Sequence, residues 1–323
     1  MGVRQTARRR RGRTTVALLT VAIMGGLAAG CDTGGAPTDH GQDGGRSSAP
    51  SSSSGSVLAV KVDNAAAARP QTGLDQADLV YAEQVEGGLS RLMAVFATKL
   101  PKAVGPVRSA RESDLELLRQ FHRPTLAFSG AQHKLLPLID KAPLTAVPPE
   151  RNSDAYFRDV GKAAPHNLYL RPQRLMRSAP GAAALTTGFR FGAAPTGGTP
   201  QTTRTVRFPS ASFTFSWSAE RHRWLVAMDG TPTVTADGAR VAPATVVVQY
   251  VRVRTSGLHD VLGNNSPYSE TVGSGKAQVL RDGRVFDAQW RRASAADGTR
   301  FTTADGTPVN FAQGQAWVML VKE

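Results

Sequence analysis

Apolar and polar positions change rhythm several times along the 323 residues. An arginine-rich start, "MGVRQTARRRRGRTT", gives way to an unbroken apolar run, "VALLTVAIMGGLAAG", which stops at Cys31. From Asp32 to Gly55 almost nothing is apolar. Short runs then return: "VLAVKV" (57–62), "DLVYAEQV" (78–85), "SRLMAVFAT" (90–98) and "TLAFSG" (125–130) alternate or stay apolar as strands do. Between and after them, "ESDLELLRQF" (112–121), "AQHKLLPLIDK" (131–141, interrupted by Pro137) and "RPQRLMRSA" (171–179) are predicted helices. A Gly/Pro/Thr-rich stretch, 192–202, reads as a seam. Beyond it come "TRTVRF", "SFTFSWS", "HRWLVAM", "ATVVVQYVRV", "GKAQVLR", "RVFDAQWRR", "TRFTT" and "AWVMLVK", punctuated by five Asp-Gly pairs. Asp-Gly supplies the positive φ of tight hairpin turns. The expected fold class is therefore α+β, a mixed α/β module followed by a mostly antiparallel β module. The expected divisions are a signal peptide (1–30), a flexible tether (31–55), the first module (56–190) and the second (200–323).

The amino-terminal pattern is that of an export signal: a charged n-region, a short h-region and small residues before the cleavage point. Its apolar run is too short for a comfortable span, which takes about 20 residues. "LAAGC" (27–31) resembles the lipobox of bacterial lipoproteins, so Cys31, the one cysteine, is the expected lipidation site and membrane attachment. The following 24 residues, rich in Gly and Ser, cannot bury enough to offset their ordering entropy. As a coil they would reach about 25–30 Å from the anchor. The expected location is the extracytoplasmic face of the cell membrane.

Charge narrows the partners. The chain carries 39 basic and 25 acidic residues, and loss of the six arginines of the leader lowers the formal charge from +14 to +8. That suits anionic headgroups, phosphate-containing wall polymers or acidic peptide stems, and export separates the chain from nucleic acid.

The densest basic motif is "GPVRSARESD" (105–114). Ser109 with Glu112, and Ser113 with Glu116, have capping-box spacing, so a helix is expected to begin here and to offer amides beside Arg108 and Arg111. Guanidiniums add bidentate donors for phosphate or carboxylate. Asn64, Arg69, Arg91 and Asn167 lie in neighbouring turns or strand ends and join Arg108, Ser109 and Arg111 as candidate ligand-binding residues. Glu83, Glu86 and Asp114 would orient the arginines or simply pair with them. As a catalytic set, His166, Glu83 and Glu86 are weak candidates: a histidine in a turn can act as general base, but more often it is a hydrogen-bonded structural residue. The two glutamates face opposite ways unless a turn starts near Glu86. His40, His122, His133, His166, His222 and His259 lack metal-ligand spacing, so no metal is expected, and no cofactor motif occurs. Trp217, Trp224, Trp290 and Trp317 could form a sugar-stacking face, although the alternation around Phe213, Phe215 and Trp217 favours burial.

"KVDNAAAARPQTGLDQADLVYAEQVEGGLSRLMAVF", "GPVRSAR" and "APHNLY", followed by "GSGKAQVLRDGRVFDAQW", resemble the YerB-like family of bacterial lipoproteins over nearly all of the mature chain. The resemblance implies two modules and a lipoprotein, and no assigned activity. The expectation for function is a lipid-anchored, non-catalytic envelope protein whose first module binds an anionic wall component or a wall-synthesis protein. Two alternatives stand beside it: an enzyme acting on lipid-linked phosphate or wall-polymer intermediates, and a pure protein-interaction regulator.

Overall fold

The computed structural model describes Gly2, residues 55–259 and residues 263–323. The leader, Cys31, His40 and the tether up to residue 54 lie outside the described residues. In chain order the elements are β1 (Leu58–Val62), β2 (Leu79–Gln84), β3 (Ser90–Phe96), α1 (Glu112–Leu118), β4 (Thr125–Ala127), α2 (Leu136–Lys141), β5 (Thr145–Ala146), β6 (Tyr156–Arg158) and β7 (Leu168–Leu170). There follow β8 (Thr199–Pro200), β9 (Thr203–Phe208), β10 (Ala211–Ser218), β11 (Arg223–Met228), β12 (Thr231–Pro232), β13 (Thr245–Val251), β14 (Val253–His259), β15 (Asn265–Ser269), β16 (Gly273–Arg281), β17 (Arg284–Arg292), β18 (Arg300–Thr302) and β19 (Ala316–Lys322).

The first half is not the expected mixed α/β module; the fold is β-rich throughout. Among the described residues there are two α-helices, of seven and six residues. "RPQRLMRSA" forms a 3-10 turn at Pro172–Arg174 in place of a helix. Pro137 does not interrupt α2 but sits in its first turn, where an amide hydrogen is not needed. An apolar strand pattern does not say whether helices or another sheet will cover it. Much of that covering is done by a second sheet.

One sheet crosses both halves in the order β18-β17-β16-β13-β19-β2-β3-β1-β4-β5, with β8 beside β17. The last strand, β19, inserts in parallel between β13 and β2, with Trp317 opposite Val80 and Val246. β2, β3 and β1 are antiparallel neighbours, and β4 pairs β1 in parallel. The central strands are buried on both faces, which is why their sequences run apolar. On one face Val60, Val62, Val80, Ala82, Ala94 and Trp317 pack on Phe213, Phe215 and Trp224 of the four-stranded sheet β12-β11-β10-β9. On the other, Ala59, Tyr81, Met93 and Val95 meet Leu117 and Leu118 of α1 and Ile139 of α2. Trp224, Trp290 and Trp317 are buried, and Trp217 pairs across strands with Trp224. Three indoles are core and Trp217 is half-buried against it, so the four do not form a sugar-stacking face.

Candidate anion site

Strand alternation builds the polar cluster. Residues 57, 59, 61 and 63 share the α1-facing side of the first strand and its exit, as do 79, 81 and 83 on β2 and 91, 93 and 95 on β3. Apolar side chains occupy one end of that face, while Lys61, Asp63, Glu83 and Arg91 occupy the other. The register places Glu83 opposite Arg91 and Tyr81 opposite Met93.

Directly under α1, the Lys61 ammonium is fully buried between two carboxylates. It donates to Asp114 Oδ1 at 2.6 Å and to Glu83. Ser113 Oγ donates to Glu83 Oε2 at 2.7 Å. Burial, reinforced by the neighbouring Glu83 charge, pushes the Asp114 carboxyl up to about 6 against the pull of Lys61. For Glu83 burial acts upward too, but the Lys61 charge and its hydrogen bonds outweigh it and leave the group lowered. Lys61 was missed as a site residue. Its signal was a lysine at an inward, period-two position of "VLAVKV".

The expected capping boxes do not form. The helix starts at Glu112 with Arg111 as N-cap, and Asp114 accepts the Arg111 amide at 2.7 Å. Ser109 is not a cap: its carbonyl accepts from Arg91 at 3.2 Å and from Arg111 at 3.5 Å. With only two turns of helix and its first amide engaged, charge here comes from side chains rather than from the helix end.

Three guanidiniums gather beside this N-cap. Arg111 forms a two-pronged pair with Glu86, at 2.7 and 2.6 Å, and Glu86 also accepts from Ser266 of β15. A turn does begin at Glu86, with Gly87 and Gly88 at positive φ, so Glu83 and Glu86 reach the same layer with different partners. Burial raises the Glu86 carboxyl, and the Arg111 bonds more than reverse it. Arg108 Nε lies 3.1 Å from Asp63 Oδ2 without hydrogen-bond alignment. Arg91 is 8% exposed, has one hydrogen bond, to Ser109 O, and forms no ion pair among the described residues; its Nε is buried without a partner. Burial, then the positive charges of Arg111 and Arg108, outweigh the attraction of the Asp63 and Glu86 carboxylates and bring its pKa down to about 10.

His166, in the turn before β7, completes the edge. Its Nδ1 is 2.7 Å from Asp63 Oδ2, and its side chain is partly exposed. The other candidates are engaged elsewhere. Arg69 donates to Asn64 O and Asp229 Oδ2, both at 2.8 Å, latching the first half to the β11–β12 turn. Asn64 donates to Ser90 Oγ at 2.8 Å, and Asn167 Oδ1 accepts from Arg158 at 2.7 Å. Of the seven predicted ligand residues, Arg91, Arg108, Ser109 and Arg111 are therefore gathered, and Asn64, Arg69 and Asn167 serve neighbouring contacts. Chemically, the cluster offers a guanidinium with no direct ion pair among the described residues and a carboxylate-oriented imidazole.

Two family models match this chain, described as the N-terminal domain (residues 44–185) and the C-terminal domain (residues 204–318) of a protein of unknown function, DUF3048. A Bacillus subtilis (strain 168) protein named "Putative lipoprotein YerB" is 47% identical over 64 residues, which cover 20% of this chain and 19% of that protein. The match thus spans about a fifth of the relative's length. The crystal structure of the YerB protein from Bacillus subtilis is similar with a TM-score of 0.68 at 21% identity, covering 83% of this chain and 91% of that one. That likeness supports the β-rich fold.

Proposed function

This chain belongs to the DUF3048 family, carrying its N- and C-terminal domains in order, and on that premise we propose a lipid-anchored envelope protein that binds an anionic cell-wall component. Cys31 would carry the lipid and attach the chain to the extracytoplasmic face of the membrane, in keeping with the lipoprotein name of the Bacillus relative. Arg91, Arg108 and Arg111 would hold the anion, whether a phosphate-bearing polymer, a lipid-linked phosphate or an acidic group on a wall-synthesis protein.

The observation that carries this reading is Arg91. A buried cation with no carboxylate at ion-pair distance, its attraction to Asp63 and Glu86 outweighed by burial and two other guanidiniums, is a costly arrangement. A phosphate or carboxylate would relieve the repulsion and satisfy donors that the fold leaves open. The test is the thermal midpoint of the full chain against pyrophosphate, a teichoic-acid fragment and a muropeptide. A ligand at a hundredfold its Kd stabilises by about 2.7 kcal/mol, or roughly 5–11 °C for a chain of this size. The shift should vanish in the Arg108→Gln, Arg111→Gln protein. No shift with any of the three would leave the arginines as internal partners.

The pairing of His166 with Asp63 favours a second reading, in which the bound group is also processed with His166 as general base. Hydrolysis of a phosphodiester probe, lost in His166→Ala while pyrophosphate binding persists, would establish it. An intact protein without turnover would remove it.

A further inference from the structure

A second cavity, of about 590 Å³, shares no lining residue with the arginine cluster and lies between the β1–β2 connection, the exit of β3, the segment before β8 and the loop leading into β19. Its frame is fixed. Gln315 donates to the carbonyls of Leu74 and Ala77 and accepts from the Trp317 indole. The Asp78 carboxylate is consumed by the amides of Ala97 and Thr98 and by the Thr98 hydroxyl.

What the frame leaves open is chemically specific. Phe189 and Phe191 line the cavity and are braced on Phe311, with ring centroids 4.7 and 6.0 Å away. Phe191 stays 37% exposed. Asp75 also lines it, and its Oδ1 is buried without a hydrogen-bond partner. Burial raises the Asp75 carboxyl above its usual value. Gln76, Gln313 and Lys99 also line the cavity, and their side chains make no hydrogen bond among the described residues.

From the aromatic wall beside this set of uncommitted polar side chains, we infer a carbohydrate-binding site that takes an uncharged pyranose ring of a glycan. The apolar C–H face of such a ring packs on an aromatic side chain, and its hydroxyls each donate and accept, as Asp75 and the two glutamines require. The charged groups at the cavity are Asp75, Asp78, whose carboxylate is already engaged, and Lys99, with Asp237 also acting on Asp75; no cluster of cations faces it, which favours a ligand with hydroxyls over an anion. The volume lies within the range of about 300–1,000 Å³ usual for small-ligand pockets.

The test is calorimetric titration of the full chain with chitotriose, chosen as a neutral glycan probe. Saturable binding is expected, weakened up to about tenfold in Phe191→Ala, since an aromatic contact is worth about 0.5–1.5 kcal/mol. Asp75→Asn should weaken it as well, and Arg108→Gln should leave it unchanged, which separates this site from the anion site. Phe191 and Gln313 are exposed, so Gln313→Ala serves if the phenylalanine variant fails to fold. Absence of saturable binding to the unaltered chain, or binding that survives both Phe191→Ala and Asp75→Asn, would overturn the inference.

Discussion

Replacing Lys61 with methionine tests whether the buried polar layer under α1 supports the fold. The side chain keeps its length and loses its charge, while Glu83 and Asp114 stay in place, at most 4% exposed. Breaking a buried pair by removing one partner costs about 3–5 kcal/mol, because a desolvated charge is left behind. At roughly 2–4 °C per kcal/mol for a chain of this size, the midpoint should fall by about 6–20 °C. The loss should depend on pH, and the sign follows from the carboxyls. Asp114 is raised from 3.8 to about 6, so its contribution is fully present below 3.8 and is lost as pH rises through about 6. Glu83 is lowered from 4.5, so its contribution is present above 4.5 and is lost as pH falls through its folded value. Without Lys61 the cause of that lowering disappears and both carboxyls behave as Asp114 does. The deficit against the unaltered chain should therefore be smaller at pH 5 than at pH 8, read by calorimetry at both. A fall of less than about 3 °C, or a deficit as large at pH 5 as at pH 8, would refute the reasoning.

Other substitutions probe the frame. Trp317 is fully buried against Phe213 and Phe215, so Trp317→Ala should cost about 3–5 kcal/mol in chemical denaturation. Arg292 is 1% exposed and donates to Thr271 Oγ1 and to the carbonyls of Glu116, Ala295 and Asp297. Arg292→Leu leaves those acceptors unmet, and at about 1–3 kcal/mol for each buried group the variant should unfold at clearly lower urea than the unaltered chain. A Cβ on Gly298 would stand 2.4 Å from Gly188 N, against backbone that cannot swing aside. Gly298→Ala should therefore cost about 1–3 kcal/mol, and an unchanged midpoint would count against this packing of the segment before β8 on the loop before β18.

Legibility in the sequence followed how local each signal was. Strands such as "SFTFSWS" and "RVFDAQWRR" could be read because alternation and turn residues are local properties. The architecture of the first half could not, because "VLAVKV" reads the same whether helices or a second sheet cover it. Parallel insertion of β19 beside β2 joins residues more than 230 positions apart, and no local pattern announces it. The candidate site shows the same limit. Arg108 and Arg111 stood out by charge density, and the helix start was placed within a few residues, but the cap fell on Arg111 because Asp114 could reach back to its amide. Arg69 and Asn64 looked like ligands in sequence, whereas their contacts with Asp229 and Ser90 depend on distant strands. Arg91 gave no signal that its guanidinium would lack a direct ion pair, since Glu83, its cross-strand neighbour, turns to Lys61.

The most direct measurement is the thermal midpoint of the full Arg91→Met chain, with and without pyrophosphate. If Arg91 is held for an anion, removing it relieves the repulsion from Arg108 and Arg111. The ligand-free midpoint should then stay the same or rise, and the pyrophosphate shift should disappear. A lower ligand-free midpoint together with an undiminished pyrophosphate shift would contradict the anion site and make Arg91 a structural cation.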